Sequence, residues 1–201
     1  MCGRVFIDHV DQEICALVEE MNRSVLAGRF RKEDGEPLTA QGEIFPSAVL
    51  PVLAVSRAGN PGVFPMKWGF SQNKRLLINA RAETAAEKPT FRDAWRGHRC
   101  IIPVSWYFEW AHDAQKRPTQ KYAIRPEESG ILRLAGLYRM EEGLPAFVIL
   151  TRPADEKVLW MHDRMPVMFA EQEAGKWIRP DEDPEQLVRK CLTDVIWKQA
   201  G

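Results

Sequence analysis

The sequence has no net charge, no long apolar run and no closely spaced cysteines, and each lack removes a class of protein. Its 28 Lys/Arg balance 28 Asp/Glu, so no excess of one sign marks a polyanion-binding or acidic-tail protein as a whole. No apolar stretch approaches the roughly 20 residues of a membrane span. The opening MCGRVFIDHVD lacks a basic segment followed by an apolar one, so it does not read as a signal peptide, and a cytoplasmic protein without a membrane partner is expected. The four cysteines, Cys2, Cys15, Cys100 and Cys191, lie far apart with no CxxC or Cys/His cluster. Neither a zinc site nor a disulfide framework is expected, and no cofactor is implied. Cys15, Cys100 and Cys191 sit among apolar residues and read as small buried hydrophobes. A chain of 201 residues suffices for one domain and is short for two, so 1–201 is read as one unit, with a monomer expected.

What is present is a series of short strands with a few helices. Residues 11–22 place Ile14, Leu17, Val18 and Met21 on one helical face, with Asp11 as the start. Residues 23–43 read as loop with some helix. The segment 46–55 reads as a strand whose prolines argue for an edge or a strand start, followed by a turn at 59–62 and a hairpin partner at 63–70. Residues 76–84 read as a buried strand running into a loop or helix, and 91–95 as a short helix. Residues 100–110, 121–126, 131–138 and 146–151 read as successive strands. Helices are expected at 154–162, 171–178 and 183–192, the last with Asp183 as N-cap and Pro184 in the first turn, and a strand at 164–169. The absence of a βαβ rhythm argues for an α+β domain, a mostly antiparallel sheet or partial barrel with peripheral helices.

The neutral total conceals a basic middle. Residues 67–99 hold eight Lys/Arg against three acids, a net of +5, whereas residues 1–66 hold six basic and nine acidic residues, a net of −3. A polyanion partner needs such a patch, although a solvated basic face looks the same on charge alone.

Four residues stand out chemically. Removal of Met1 would leave Cys2 with a free α-amine, a 1,2-aminothiol in which both groups are partly nucleophilic near neutral pH. An aldehyde condenses with the amine to an imine, and the thiol then closes a five-membered thiazolidine. The thiolate could instead attack an acyl carbon, as in N-terminal nucleophile hydrolases. Asn79, in INARAE, could orient the nucleophile through its amide, with Arg81 on the same face of an extended chain as a phosphate clamp. Glu109 lies in WYFEW. Strand alternation puts it with Tyr107 on one face and Trp106, Phe108 and Trp110 on the other, and a carboxylate among aromatics suits proton shuttling. His162, in HDRMP, follows a helix in a loop suited to acid/base work. Each residue alone has a bland alternative: a chance terminal cysteine, a turn asparagine, a solvated glutamate, a structural histidine. His9, His98 and His112 show no comparable context.

The segments occur in a telling order: Met-Cys-Gly-Arg (1–4), Asn-Ala-Arg-Ala-Glu-Thr (79–84), Phe-Glu-Trp (108–110) and His-Asp-Arg-Met-Pro (162–166). Together they resemble the SOS response-associated peptidase (SRAP) family, the abasic-site processing proteins. Lys-Trp-Gly-Phe (67–70), Phe91 with Trp95, Cys100 to Pro103 and Phe147 to Thr151 support the match. The resemblance implies a DNA-damage protein whose N-terminal cysteine forms a thiazolidine with the ring-opened aldehyde of an abasic site in single-stranded DNA. It makes Cys2 the nucleophile and Asn79 its positioner. Glu109 would assist proton transfer, and His162 sugar ring opening and release. Arg4, Arg81 and Arg164 would be phosphate contacts, with Phe91 and Arg92 also on the DNA side. It also implies a lyase-type cleavage through the Schiff base and an autoproteolysis that exposes Cys2. Two departures stand out. The family's upstream Asn-x-Ala-Pro aligns with Glu43 to Ser47, and its tryptophan wedge is replaced by Ser71-Gln72-Asn73-Lys74-Arg75. Lys74 and Arg75 could offset lost stacking by phosphate contact, with steeper salt dependence. Two competing readings share the features: a thiol peptidase using Cys2, and a non-catalytic single-strand binder using the basic 67–99 segment.

Overall fold

The computed structural model describes residues 2–31, 35–127 and 130–200. Among them are fifteen strands. In chain order they are β1 (Arg4–Ile7), β2 (Gly42–Ile44), β3 (Val49–Val55), β4 (Pro61–Trp68), β5 (Phe70–Gln72), β6 (Arg75–Leu77), β7 (Asn79–Arg81) and β8 (Arg99–Val104). Then follow β9 (Trp106–His112), β10 (Pro118–Pro126), β11 (Leu132–Glu141), β12 (Leu144–Pro153), β13 (Arg164–Pro166), β14 (Met168–Phe169) and β15 (Val195–Ala200).

Five strands close on themselves: β12 pairs β4, β4 pairs β3, β3 pairs β8, β8 pairs β11, and β11 returns to β12. Closure removes free edges from this layer. Around the ring, β13 and β7 add to β12, and β14 to β11. Only β12–β4 and β12–β7 are parallel pairs. A second, open sheet of five strands, ordered β15-β10-β9-β1-β2, is antiparallel throughout. The fold is therefore α+β and mostly antiparallel, as the sequence indicates.

Side-chain alternation along β12 divides the apolar interior. Phe147 and Ile149 join Cys2, Val5, Tyr107, Tyr122 and Ile124 of the open sheet in one core. Ala146, Val148 and Leu150 join Phe91, Trp95, Phe169 and Trp177 in a second core under the helices. Local chemistry starts those helices. Asp11 accepts from the Glu13 and Ile14 N–H groups to cap helix Gln12–Arg23, and Asp183 caps helix Pro184–Val188 in the same way. Pro89 opens helix Pro89–Gly97, which buries Phe91, Ala94 and Trp95 at helical spacing.

Several expectations are corrected. β3 is an interior strand, with β4 and β8 on its two sides. Its Pro51 lies opposite Pro65 of β4, and the register to β8 involves only Leu53 and Ala54. Two residues without N–H donors face each other, so no donor is stranded. The run 100–110 is two strands in different sheets. The chain turns at Ser105, whose N–H donates to Phe6 O at 2.8 Å and whose hydroxyl accepts from the Asp8 N–H at 2.8 Å. The run 76–84 splits into the end of β6, β7 and helix Ala82–Ala85, and Leu76, in the β5–β6 hairpin, is exposed. The run 164–169 breaks at Val167, and helix 154–162 shortens to Glu156–Leu159. β15 had no signal, because VIWKQA lacks clean alternation. No helix among the described residues is long and apolar enough to cross a membrane.

Candidate active site

Cys2 precedes β1, and β1 is hydrogen-bonded between β2 and β9. Pairing holds the start of the chain inside the first core, where Cys2 is 1% exposed. Asn79 opens β7, which is fixed by its parallel register to β12 with Asn79 beside Ile149. From there the Asn79 Nδ2 donates to the Cys2 carbonyl oxygen at 3.0 Å. Its amide oxygen is sealed from solvent and has no hydrogen-bond partner among the described residues. Such an acceptor, buried with its bonding capacity open, is costly to keep. Met1, whose removal would free the Cys2 amine, lies outside the described residues.

Glu109 comes from β9. Tyr107 and Glu109 are buried, Trp106 and Trp110 are half-buried, and Phe108, read as sharing the tryptophan face, is also buried, with Phe6 and Lys121 against it. Glu109 is 5% exposed and in register with Tyr122 of β10. Burial pushes the Cys2 thiol well above its ordinary range. The nearby Glu109 carboxylate adds to the rise, and a hydrogen bond from the Arg4 backbone relieves it in part. Burial likewise holds the Tyr107 phenol protonated, reinforced by Cys2 and Glu109. Cys2, Tyr107 and Glu109 thus share one low-dielectric field.

His162 reaches the same field from the loop after helix Glu156–Leu159. Burial lowers its pKa, and Glu109 and Asp163 oppose that shift. The Arg164 backbone N–H lies 3.0 Å from Nδ1, and the Asp163 carboxylate lies 2.8 Å from the same atom. These contacts ask for opposite protonation. The backbone donor is fixed and burial favours the neutral ring, so Nδ1 accepts and Nε2 carries the proton. The His112 ring lies 6.4 Å away, edge-on.

The proposed DNA residues fall into three settings. Lys74 and Arg75 are exposed at the tip of the β5–β6 hairpin, Asn73 and Lys74 having the positive φ of a tight turn. Arg81 and Arg92 are also exposed, Arg92 beside Asp93 at 3.6 Å. Arg4 pairs with Glu43 at 2.9 Å and lies over the Phe45 and Trp110 rings. Arg164 is largely buried. Its guanidinium pairs with Glu83 and donates to the Thr151 carbonyl at 2.7 Å and hydroxyl at 3.2 Å. Phe91 packs in the second core against Phe70, with ring centroids 6.1 Å apart.

The sequence reading brings Cys2, Asn79, Glu109 and His162 to one place. It passes over Tyr107 and His112 as site residues. Tyr107 carried a signal, since it shares the Glu109 face at a spacing of two. His112 carried none, because only the fold brings it to His162. Among the described residues no group of three or more His, Cys, Asp or Glu is gathered as a metal site would need.

Comparison with known proteins gives the family. The chain is 32% identical over 166 residues to the abasic site processing protein YoqW of Bacillus subtilis, covering 73% of each chain. It is 26% identical over 189 residues to the abasic site processing protein YedK of Escherichia coli, covering 90% of this chain and 81% of that one. In fold it is similar to a phage-related protein of Bordetella bronchiseptica, with a TM-score of 0.74 at 21% identity, over 99% of this chain and 94% of that one. The family model for SOS response associated peptidase (SRAP) matches residues 1–199. On that match the chain belongs to the SRAP family.

Proposed function

We propose that this protein processes abasic sites in single-stranded DNA by trapping the sugar aldehyde on Cys2 as a thiazolidine, once Met1 has been removed. One observation carries the reading: the backbone of a buried Cys2 is held by Asn79 within the field of a buried Glu109. A structural cysteine needs no such company. The names of the relatives support the substrate class.

The protonation states suggest an order of events. A thiol held neutral by burial and by Glu109 does not compete for the aldehyde, so the amine attacks first. Its addition to the carbonyl carbon gives a carbinolamine. The hydroxyl leaves as water when an acid supplies a proton, and the nitrogen gives a proton back to that group, leaving an imine. Glu109 would carry that proton. The sulfur then adds to the imine carbon, and the thiol proton ends on the ring nitrogen. The sum is protein plus aldehyde minus one water. Neutral His162, with its proton on Nε2, would assist opening of the closed sugar to the aldehyde. The exposed Lys74, Arg75, Arg81 and Arg92 would attract the backbone. Arg164 would act from within, tying the segment after His162 to the segment after Asn79. Phe91 would serve packing.

The test is intact-mass measurement after incubation with a single-stranded oligonucleotide containing one abasic site. Protein shown to lack Met1 should gain the mass of the oligonucleotide less one water, and Cys2→Ala should gain nothing. A Met1-free wild type without an adduct would refute the reading. Thiol-dependent turnover of peptides instead would favour the peptidase alternative.

A further inference from the structure

Three aromatic side chains form a tight cluster where β10 and β15 meet the segment leading to His162. Tyr122 lies 5.1 Å from Trp160 and 5.4 Å from Trp197 between ring centroids, and the two tryptophans are 5.3 Å apart. All three pairs are edge-to-face, with interplanar angles of 70° to 90°. At these separations nothing fits between the rings, so a ligand must use their outer surfaces. Those surfaces are open: Trp160 is 49% and Trp197 45% exposed, although Tyr122 beneath them is buried. The Trp160 Nε1 donates to the Lys157 carbonyl at 3.0 Å, which fixes that ring. Two large rings that are rigid and half in water form a pre-organised surface with little entropy left to lose.

The position of the cluster indicates its occupant. Tyr122 is in register with Glu109, and Trp160 is two residues before His162, so the cluster borders the reacting centre. Arg125 and Lys198 alternate to the opposite face of the sheet, where Lys198 lies over the Trp106 ring at 5.0 Å. Aromatic faces bordering the reacting centre suit a base.

We propose that Trp160 and Trp197 form a stacking subsite for the base of a nucleotide adjoining the abasic one. The subsite rests on the abasic-DNA reading for its role but not for its measurement. An abasic nucleotide has no base to hold, so a neighbouring base is the natural handle for placing the sugar at Cys2.

The experiment uses the full chain with Cys2→Ala, which cannot close the thiazolidine ring, and two labelled single strands. One carries an abasic site between ordinary nucleotides. In the other, the nucleotides on both sides of that site are tetrahydrofuran spacers lacking a base. Trp160→Ala and Trp197→Ala should each weaken binding to the first strand by roughly five- to 150-fold. They should have little effect on the second strand, which the unsubstituted background should itself bind more weakly. Trp160→Phe and Trp197→Phe keep a stacking face and should retain most of the affinity, which separates stacking from misfolding. Equal weakening on both strands, or none on either, would overturn the subsite and leave the face to another occupant. Absence of adduct in the Cys2 protein would sink the proposed chemistry alone. Adduct formation without base dependence would sink the subsite alone.

Discussion

Arg99 and Asn79 both hold polar groups inside the fold, and the fold treats them in opposite ways. Arg99 is 2% exposed. Its Nε donates to the Trp177 carbonyl at 2.7 Å, and its Nη1 to those of Trp95 and Arg96 at 3.1 and 3.2 Å. Its Nη2 serves Glu182 at 2.9 Å and Arg179. Four of these carbonyls lie in or just beyond the last turns of helices Pro89–Gly97 and Glu171–Trp177, where intrahelical partners run out, and that of Glu182 precedes the Asp183 cap of helix Pro184–Val188. Asp181, Glu182 and Asp183 offset the charge. At Asn79 one donor is used and the acceptor is left open, beside a cysteine and a glutamate that nothing about packing requires. A polar group kept for architecture has its bonding capacity filled. Asn79, the candidate for chemistry, has some in reserve.

The sharpest way to break this contrast is to empty the filled cluster. Arg99→Met keeps the apolar stem and removes the charge, leaving five carbonyls without their donor. Breaking a buried, hydrogen-bonded charge costs about 3–5 kcal/mol. For a chain of this size that lowers the melting temperature by roughly 6–20 °C. At temperatures where the variant is folded, its rate of adduct formation should equal that of the wild type. Calorimetry and a timed denaturing gel check both halves. A rate that falls with Arg99 while the fold persists would show that the two clusters are not separate.

How much of each region the sequence disclosed follows the same division. Capping by Asp11 and Asp183, and the strand alternation that pairs Tyr107 with Glu109, are local and were legible. Closure of the ring was not, because the β12–β4 contact that seals it rests on only two residue pairs, Ala146 with Lys67 and Phe147 with Trp68. The Ser105 corner hid inside a run of strand formers, and Pro51 suggested an edge because the register that sets it opposite Pro65 comes only with the pairing of β3 and β4. At the site, the four candidate residues came from short motifs whose order carried a family resemblance. The partners of Arg164 were invisible, so it read as a phosphate contact. Arg99 was counted in a basic patch, although its charge is spent internally.

A smaller effect tests the reserve itself. Glu109→Gln keeps the shape and removes the acid. General acid–base assistance contributes about 10²–10⁴-fold, so adduct formation should slow by about 100-fold near neutral pH. Association with abasic DNA should persist, and the melting temperature should hold or rise, since a buried carboxylate is replaced by a neutral amide. An unchanged rate would remove Glu109 from the chemistry. A large loss of stability would place it with Arg99 among the architectural groups.

The smallest effect concerns Arg164, which donates through both terminal nitrogens but keeps a buried Nε without a hydrogen-bond partner among the described residues, and which stands two residues after His162. Its partner Glu83 has its carboxyl held below the ordinary 4.5, first by the hydrogen bond from Arg164. The sign follows directly. Above about pH 4.5 the carboxylate is ionised in folded and unfolded chains alike, and the ion pair contributes in full. As pH falls below that value the unfolded chain takes up the proton first, and the contribution fades as the folded value is approached. Glu83→Gln should therefore melt slightly below wild type at pH 7, and the gap should close on titration toward pH 3. Glu83 is partly exposed and screened, so the gap is at most about 1 kcal/mol and shrinks with salt. The rate of adduct formation discriminates further. If Arg164 ties the His162 segment to the Asn79 segment, Glu83→Gln should slow the reaction by more than its small stability loss suggests. A rate that tracks stability alone would make the pair ordinary surface electrostatics.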